Sequence, residues 1–362
     1  MRDLLGPSFL SGFRLGDWLR LLQENKFSVD PPFWPRAAVA TAGCGITSCL
    51  ARGEAMLTQA DIDKDLWERP VFILGLPRSG TSHLYELLGQ SPQLCYPTRF
   101  DCWNPHTFLT LRKMGLHRLL ARTPAWKRPQ DNVETGWNAP EEDIVALAMM
   151  ACAGERDRLV FPRNLPASAY AGDPDARTDA EDAAVAAGLR DFTRKLVYLH
   201  RKSVLLKSPG HTRRVAALLD VFPRARFVTI FRDPVHQVAS LMDMHRSRAA
   251  LWAALQRTAA PPDAELVARR QGAALQQYFA FRHLIPAANL MEIKYEDLVE
   301  DREVTLLSIC EKLSLLPPEN LPLVARRAAA GARPARELPA GVINFLRYYR
   351  PLYDAGLYSE LG

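Results

Sequence analysis

The sequence lacks the spacings by which cysteine and histidine usually hold a metal ion. Its six cysteines form no CxxC pair and no close cluster with histidine, which argues against a zinc site. A chain of 362 residues can bury a core large enough to fold without a disulfide framework. We therefore expect no metal requirement and a reducing, cytoplasmic setting.

Long hydrophobic runs are also missing, and we expect no secretory leader. The most apolar early stretch, residues 37–51, contains two glycines and is shorter than the roughly 20 residues that a spanning helix needs. No basic segment followed by a long apolar core marks a signal peptide. Residues 13–27 form an amphipathic pattern around Trp18, which favours a helix docked on the core over one that contacts a membrane.

Internal repeats and low-complexity tracts are absent as well. The hydrophobic content of 48% and the charged content of 24% are typical of an ordinary globular protein. The net charge of +6 suits an anionic partner. Nucleic acid is not the expected partner, because no basic segment is interleaved with aromatic residues as in a recognised binding module.

Four short apolar runs, each followed by a helical pattern, predict the fold. The alternation of strands and helices indicates an α/β protein with a central parallel sheet flanked by helices. Such a three-layer arrangement is P-loop-like, and its ligands bind at the carboxyl ends of the strands. The predicted strands are residues 69–76, 203–208, 226–232 and 289–295.

The first predicted strand leads into a glycine-rich loop, GLPRSGTS, at residues 75–82. The glycines and Ser82 have the spacing of a phosphate-binding loop, but the usual lysine is replaced by Thr81 and the nearest positive charge is Arg78. Such a loop can hold an anion through backbone N–H groups, hydroxyls and a guanidinium. A γ-phosphate carries several charges that need lysine and Mg²⁺, whereas a sulfuryl group carries one. The loop therefore favours an activated sulfate donor over ATP.

Further motifs resemble those of the PAPS-dependent sulfotransferases, where PAPS is 3′-phosphoadenosine 5′-phosphosulfate. In the stretch FRDPVHQVAS, Arg232 and Ser240 match the R-[DN]-P-x(5)-S pattern that holds the 3′-phosphate of the donor in that family. The stretch YEDLVED begins at Tyr295 and is similar to the family segment near the adenine. LLKSPGH places Lys207 where the family keeps a lysine near the transferring group.

The resemblance covers residues 69–314 and implies transfer of a sulfuryl group from PAPS to an acceptor hydroxyl. The acceptor is an unidentified carbohydrate, lipid or other small molecule. His83 stands where cytosolic members carry a tryptophan that stacks on the adenine. The residues implied in donor binding are Arg78, Ser79, Gly80, Thr81, Ser82, His83, Arg232, Ser240 and Tyr295.

The general base is left open. Cytosolic members use a histidine two residues after the strand-end lysine, and here that position is Pro209. Glu142, in the segment APEEDIVALAM, is preferred because bacterial members carry a similar P-x-E-D segment, while His106 and His211 are the alternatives. With Lys207, which would stabilise charge on the leaving oxygen, these residues form the predicted catalytic set.

Residues 92–202 are predicted to be an insert that forms the acceptor pocket, within a sulfotransferase domain spanning residues 68–362. Residues 1–67 are predicted to be a helical N-terminal extension. The aromatic residues of the insert either line a lipophilic or sugar-binding pocket or form a small local core. They are Tyr96, Phe100, Trp103, Phe108, Trp126 and Trp137.

The C-terminal part carries two further predictions, and oligomeric state is left open. Residues 343–358 are predicted to form a helix whose aromatic face packs on the domain or on a partner subunit, so a homo-oligomer is one alternative. Arg333 and Arg336 are candidates to close over the donor.

Two other functions fit parts of the pattern. An ATP-dependent P-loop kinase would use Asp233 to hold Mg²⁺, but it leaves the Arg232 and Ser240 pair without a role. A protein that binds a nucleotide or polyanion without catalysis would use the same basic surface and transfer no sulfate.

Overall fold

The computed structural model describes most of the chain. The described residues are 9–57, 62–127, 134–150, 160–164, 179–246, 254–257, 263–319, 339 and 342–343. The predictions for Arg333, Arg336 and residues 344–358 lie outside these ranges.

A five-stranded parallel sheet forms the centre of the molecule, in the order β2-β5-β1-β6-β7. Because β1 lies between β5 and β6, the loops that follow these three strands meet at one edge of the sheet. A separate antiparallel pair joins β3 and β4. The strands are β1 (Val71–Leu74), β2 (Leu94–Cys95), β3 (Trp126–Lys127), β4 (Glu134–Thr135), β5 (Ser203–Lys207), β6 (Arg226–Phe231) and β7 (Leu290–Lys294).

Both faces of the sheet are covered, which explains why the predicted strands are continuous apolar runs. In β1, Phe72 and Leu74 belong to one core cluster, and Val71 and Ile73 belong to the other. The four predicted strands and the three-layer architecture are confirmed. The sequence did not predict the two-residue strand β2, because so short a segment leaves no periodic pattern.

Helices supply the two outer layers. The helices that follow β1, β5, β6 and β7 confirm the predicted alternation, whereas α12 was not predicted. They are α1 (Leu15–Glu24), α2 (Trp34–Leu57), α3 (Lys64–Trp67), α4 (Thr81–Leu88), α5 (Arg99–Trp103), α6 (Phe108–Lys113), α7 (Leu116–Ala121), α8 (Ile144–Met149), α9 (Asp179–His200), α10 (Val215–Val221), α11 (Pro234–Arg246), α12 (Ala264–Phe281), α13 (Tyr295–Glu300) and α14 (Arg302–Lys312).

The N-terminal helices share the main core and do not form a separate one. Leu10, Phe13 and Trp18 are fully buried in the cluster that covers one face of the sheet. The Trp18 indole Nε1 donates a hydrogen bond to Thr41 Oγ1 at 2.8 Å, which joins α1 to α2. Within the described ranges, no helix has the length and apolar character needed to cross a bilayer.

Candidate active site

The loop between β1 and α4 has the backbone shape that its glycines predict. Gly80 has a φ of 101° and Arg78 has a φ of 70°, both in the left-handed region. A Cβ atom added to Gly80 would lie 2.3 Å from the ring of Tyr295, so a side chain cannot be accommodated there. The loop therefore closes against the aromatic ring that follows β7.

Two residues outside the predicted set hold this loop in place. The Thr212 hydroxyl accepts a hydrogen bond from Gly75 N at 2.9 Å and lies 3.1 Å from Gly75 O. The Gln237 amide donates to Pro77 O at 2.9 Å. Thr212 follows β5 and Gln237 lies in α11, so the two neighbouring connections of the sheet fix the loop from either side. Thr212 lies only five residues after Lys207, which is the one signal that could have marked it.

The two anion-binding motifs of the sequence meet at this edge of the sheet. Arg78 Nε donates to Ser240 Oγ at 3.0 Å. Arg232 Nη1 donates to the carbonyl of Arg78 at 3.1 Å, and its guanidinium lies 4.4 Å from the centre of the Tyr295 ring. The loop arginine therefore connects the glycine turn to the Arg232 and Ser240 pair. Guanidinium and hydroxyl groups arranged in this way can hold a phosphate from several directions.

Lys207, at the end of β5, connects the loop to Glu142. Its buried ammonium Nζ lies 2.5 Å from Glu142 Oε1 and 3.1 Å from Ser82 Oγ. Glu142 is partly exposed, so one end of this ion pair is accessible from solvent. The arrangement places a carboxylate, an ammonium and a hydroxyl at one point of the site. We call Lys207, Glu142 and Ser82 the Lys207 group. It can accept a proton and stabilise negative charge on a neighbouring oxygen.

A buried pair of side chains, His211 and Asp143, lies next to the Lys207 group along the chain. His211 Nε2 lies 2.7 Å from Asp143 Oδ1, and both side chains are fully buried. Asp143 follows Glu142 in the sequence, and His211 belongs to the short 3-10 turn Pro209–Arg213 after β5. The pair therefore joins the segment that carries Glu142 to the segment that follows Lys207.

The other predicted histidines have different surroundings. The His106 Nε2 lies 3.1 Å from Met149 O, and burial lowers the pKa of His106 to about 3. Burial and the charge of Arg302 lower the pKa of His83. The His83 Nε2 is buried with no hydrogen-bond partner in the described part of the chain. In that same part, neither His106 nor His211 forms a hydrogen bond with the Lys207 group.

The structure divides the aromatic residues of the insert between two environments. Trp137 packs against Trp103 at 5.3 Å and against Trp126 at 5.8 Å between ring centres. Arg99 lies over Trp103 and Trp126 and pairs with Glu141, the residue before Glu142, at 2.6 Å. This tryptophan cluster therefore lies beside the Glu142 segment. Other aromatics of the insert pack elsewhere, including Phe100 and Phe108, which are fully buried, and Tyr96, whose ring contacts that of Tyr85.

The carboxylate that a kinase would need for Mg²⁺ has another role. Asp233 Oδ1 accepts hydrogen bonds from Val235 N at 2.9 Å and His236 N at 3.1 Å, so it caps the start of α11. Among the residues whose placement is described, no group of three or more His, Cys, Asp or Glu side chains is arranged to hold a metal ion.

Two mycobacterial proteins are related to the chain over most of its length. They are the omega-hydroxy-beta-dihydromenaquinone-9 sulfotransferases of Mycobacterium bovis and Mycobacterium tuberculosis. Each is 27% identical over 317 residues, which is 87% of this chain and 80% of the relative.

Solved structures share the fold. A sulfotransferase from Mycobacterium avium superposes with a TM-score of 0.64 at 18% identity and covers 96% of both chains. A sulfotransferase from Mycobacterium tuberculosis gives 0.58 at 16% identity, covering 92% of this chain and 90% of the other. The sulfotransferase family model matches residues 70–317, and the chain accordingly belongs to the sulfotransferase family.

Proposed function

We propose that this sulfotransferase moves a sulfuryl group from PAPS to the hydroxyl of a small-molecule acceptor. The observation that carries the proposal is the hydrogen bond between Arg78 in the glycine loop and Ser240 in α11. It brings together two motifs separated by 162 residues, which supports their binding one bisphosphorylated nucleoside between them.

The loop fits the 5′ end of the donor. The hydroxyl of Ser79 is buried and has no hydrogen-bond partner among the described residues, so it offers an unused donor inside the loop. Thr81 and Ser82 begin α4, and N–H groups at a helix start attract anions. Because Gly80 has no side chain, the loop backbone could approach the phosphosulfate closely. Ser79, Thr81 and Ser82 would therefore hold the phosphosulfate with the loop backbone.

The opposite end of the donor would bind at α11 and α13. Arg232 and Ser240, with Arg78 beside them, would hold the 3′-phosphate by charge-assisted hydrogen bonds. The Tyr295 ring, already packed on Gly80, would contact the adenine. His83 follows Ser82 directly, and its unpartnered Nε2 is available for the same base.

The chemistry follows from the Lys207 group. Glu142 would take the proton of the acceptor hydroxyl as the acceptor oxygen forms a bond to sulfur. The bond between sulfur and the phosphate oxygen breaks, and that oxygen leaves on 3′-phosphoadenosine 5′-phosphate (PAP). Lys207 and Ser82 would stabilise the charge on this leaving oxygen. The products are the sulfated acceptor, PAP and one proton.

The acceptor is proposed to be a lipophilic alcohol. The tryptophan cluster of Trp103, Trp126 and Trp137 lies beside the segment that carries Glu142, and aromatic walls suit an apolar molecule with one hydroxyl. The mycobacterial relatives, named for a hydroxylated dihydromenaquinone, support the same class. A carbohydrate acceptor is the alternative, since sugars also stack on tryptophan.

The first prediction concerns nucleotide selectivity. We expect PAP to raise the thermal midpoint of the protein strongly, because a ligand present at 100 times its Kd adds about 2.7 kcal/mol to the stability of the folded state. ADP, ATP and Mg·ATP at equal concentrations should shift the midpoint much less, since none carries a 3′-phosphate. Thermal-shift assays with the four nucleotides provide the measurement.

Arginine variants test where on the protein PAP binds. Arg232→Ala should weaken PAP binding by about 10- to 100-fold, as expected for the loss of charged hydrogen bonds. Arg269→Ala, on the exposed side of α12, is the control and should bind normally. Stabilisation by Mg·ATP in place of PAP would favour the kinase, and PAP binding without sulfated product would favour the non-catalytic binding protein.

The second prediction assigns His211 a positioning role. His211→Gln should lower kcat by tenfold or more and change the Kd for PAP little, because Asp143 would no longer hold the Glu142 segment against β5. In a Glu142→Gln background the same substitution should have almost no further effect on kcat, since the residue it positions is already lost. Full additivity of the two effects would show that His211 acts independently, as a base or through general stability.

A further inference from the structure

The outer face of α2 is exposed and carries no charge over residues 34–51. Residues 34–51 contain one charged residue, Arg36, which is only 5% exposed and donates from Nη1 to Ala254 O at 3.0 Å. Trp34, Val39 and Ile46 are 61%, 64% and 65% exposed. The solvent-facing side of α2 is therefore apolar along residues 34–51.

The opposite side of α2 is already occupied by the protein. Ala40 and Cys44 are buried, and Thr47 Oγ1 donates to Ser11 O at 2.8 Å. A helix that is apolar on both sides is normally covered on both sides. The face of Trp34, Val39 and Ile46 has no such cover among the described residues.

The exposed charges of the N-terminal segment are mainly basic. In residues 9–57, whose side chains are described up to residue 54, the exposed acidic residue is Glu24. The exposed basic residues are Arg14, Arg20, Lys26 and Arg52. An uncharged apolar helix face that includes a tryptophan, in a segment whose exposed charges are mainly basic, is typical of a helix that lies in the surface of an anionic membrane.

The helix that carries this face contacts the insert, which contains Glu142 of the candidate active site. Thr110 N, in α6 of the insert, donates to Glu54 Oε2 of α2 at 2.9 Å. A Cβ added to Gly12 would lie 2.3 Å from Trp103 O and 2.4 Å from Met149 Sδ, so the segment before α1 packs tightly on α5 and α8. The N-terminal helices are thus fixed to the insert that carries Glu142 and the tryptophan cluster.

We propose that the face formed by Trp34, Val39 and Ile46 docks on an anionic lipid bilayer and lies in its surface without crossing it. α1 docks on the core through Trp18, as the sequence predicts, and leaves the outer face of α2 for the membrane. The docking depends on no feature of the sulfuryl-transfer proposal. Combined with that proposal, it would let a lipophilic acceptor reach the insert from the bilayer.

The test is flotation of the full chain with extruded vesicles. We expect binding to vesicles of phosphatidylcholine with phosphatidylglycerol, and weak binding to phosphatidylcholine alone. Val39→Glu with Ile46→Glu should lower the partition coefficient by at least about tenfold, because two apolar anchors become charged. Arg20→Gln and Lys26→Gln should each lower it about fivefold on the anionic vesicles.

A matched pair on another surface is the control. Val304 and Leu307 are exposed on α14, and Val304→Glu with Leu307→Glu should leave binding unchanged. A polarity-sensitive dye on Cys49, an exposed thiol of α2, should shift to the blue with anionic vesicles in a Cys152→Ser background. This readout requires no turnover, so it is independent of the reaction.

Three outcomes would overturn the proposal. The first is no binding to anionic vesicles, and the second is binding that the Val39 and Ile46 substitutions leave intact. The third is a dimer in solution that these substitutions dissociate while vesicles bind neither form, which would make the face an interface between two copies of this chain.

Discussion

Glu142→Gln is expected to lower kcat by about 10²- to 10⁴-fold, the range for loss of a positioned general base. The amide keeps the size of the side chain and can still accept a hydrogen bond from Lys207, but it cannot take a proton from the acceptor. The Kd for PAP and the thermal midpoint should change little. The measurement is PAP release from PAPS with a panel of phenols and long-chain primary alcohols as acceptors.

The neighbouring glutamate provides the matched control for this result. Glu141 pairs with Arg99 at 2.6 Å and not with Lys207, so Glu141→Gln should retain far more activity than Glu142→Gln. His106→Ala and His211→Ala complete the series. Near-normal turnover of Glu142→Gln, together with an inactive His106 or His211 variant, would show that a histidine is the base.

Lys207→Met is expected to lower kcat by about 10²- to 10³-fold, the usual effect of removing one group that stabilises transition-state charge. Methionine has nearly the same length and remains compatible with the buried end of β5. The loss should appear in kcat and much less in the Kd for PAP, since the lysine acts on charge that develops during transfer. Single-turnover measurements with preloaded PAPS would separate the chemical step from product release.

An exposed lysine at the other end of β5 is the control for Lys207. Lys202 lies just before β5 and is exposed, and Lys202→Met should have wild-type kinetics. If Lys207→Met raised the KM for PAPS with kcat unchanged, the lysine would contribute to ground-state binding only. Its place at the transfer point would then be wrong.

The glycine loop and its partners were readable from the sequence because each is a local pattern. A strand, a glycine turn and a helix start occupy consecutive residues, so the loop before Ser82 could be recognised without any long-range information. Arg232 and Ser240 follow the same logic, since a strand end and two helical turns fix their spacing. Parallel strands then place such loops at one edge, and the Arg78 to Ser240 hydrogen bond shows that the edge is shared.

The contacts that support the glycine loop and the Glu142 segment could not be predicted from the sequence. Thr212 and Gln237 hold the loop from two other segments, and Asp143 pairs with His211 across 68 residues. Gln237 and Asp143 are ordinary polar residues in their own stretches, Thr212 is marked only by its nearness to Lys207, and no local pattern shows which partner any of them contacts. The contact of Glu142 with Lys207 had the same status: the sequence named both residues, but their distance depends on how the insert packs on β5.

The sequence by itself determined the alternation of strands and helices, the glycine turn and the candidate residues for anion binding, because periodicity and backbone conformation act over a few neighbouring residues. The tertiary structure decided which of three candidate bases reaches Lys207, and that the outer face of α2 is left uncovered. These outcomes depend on packing between segments far apart in the chain. Such packing is set by the shape and burial of whole helices, to which no single stretch of sequence is a guide.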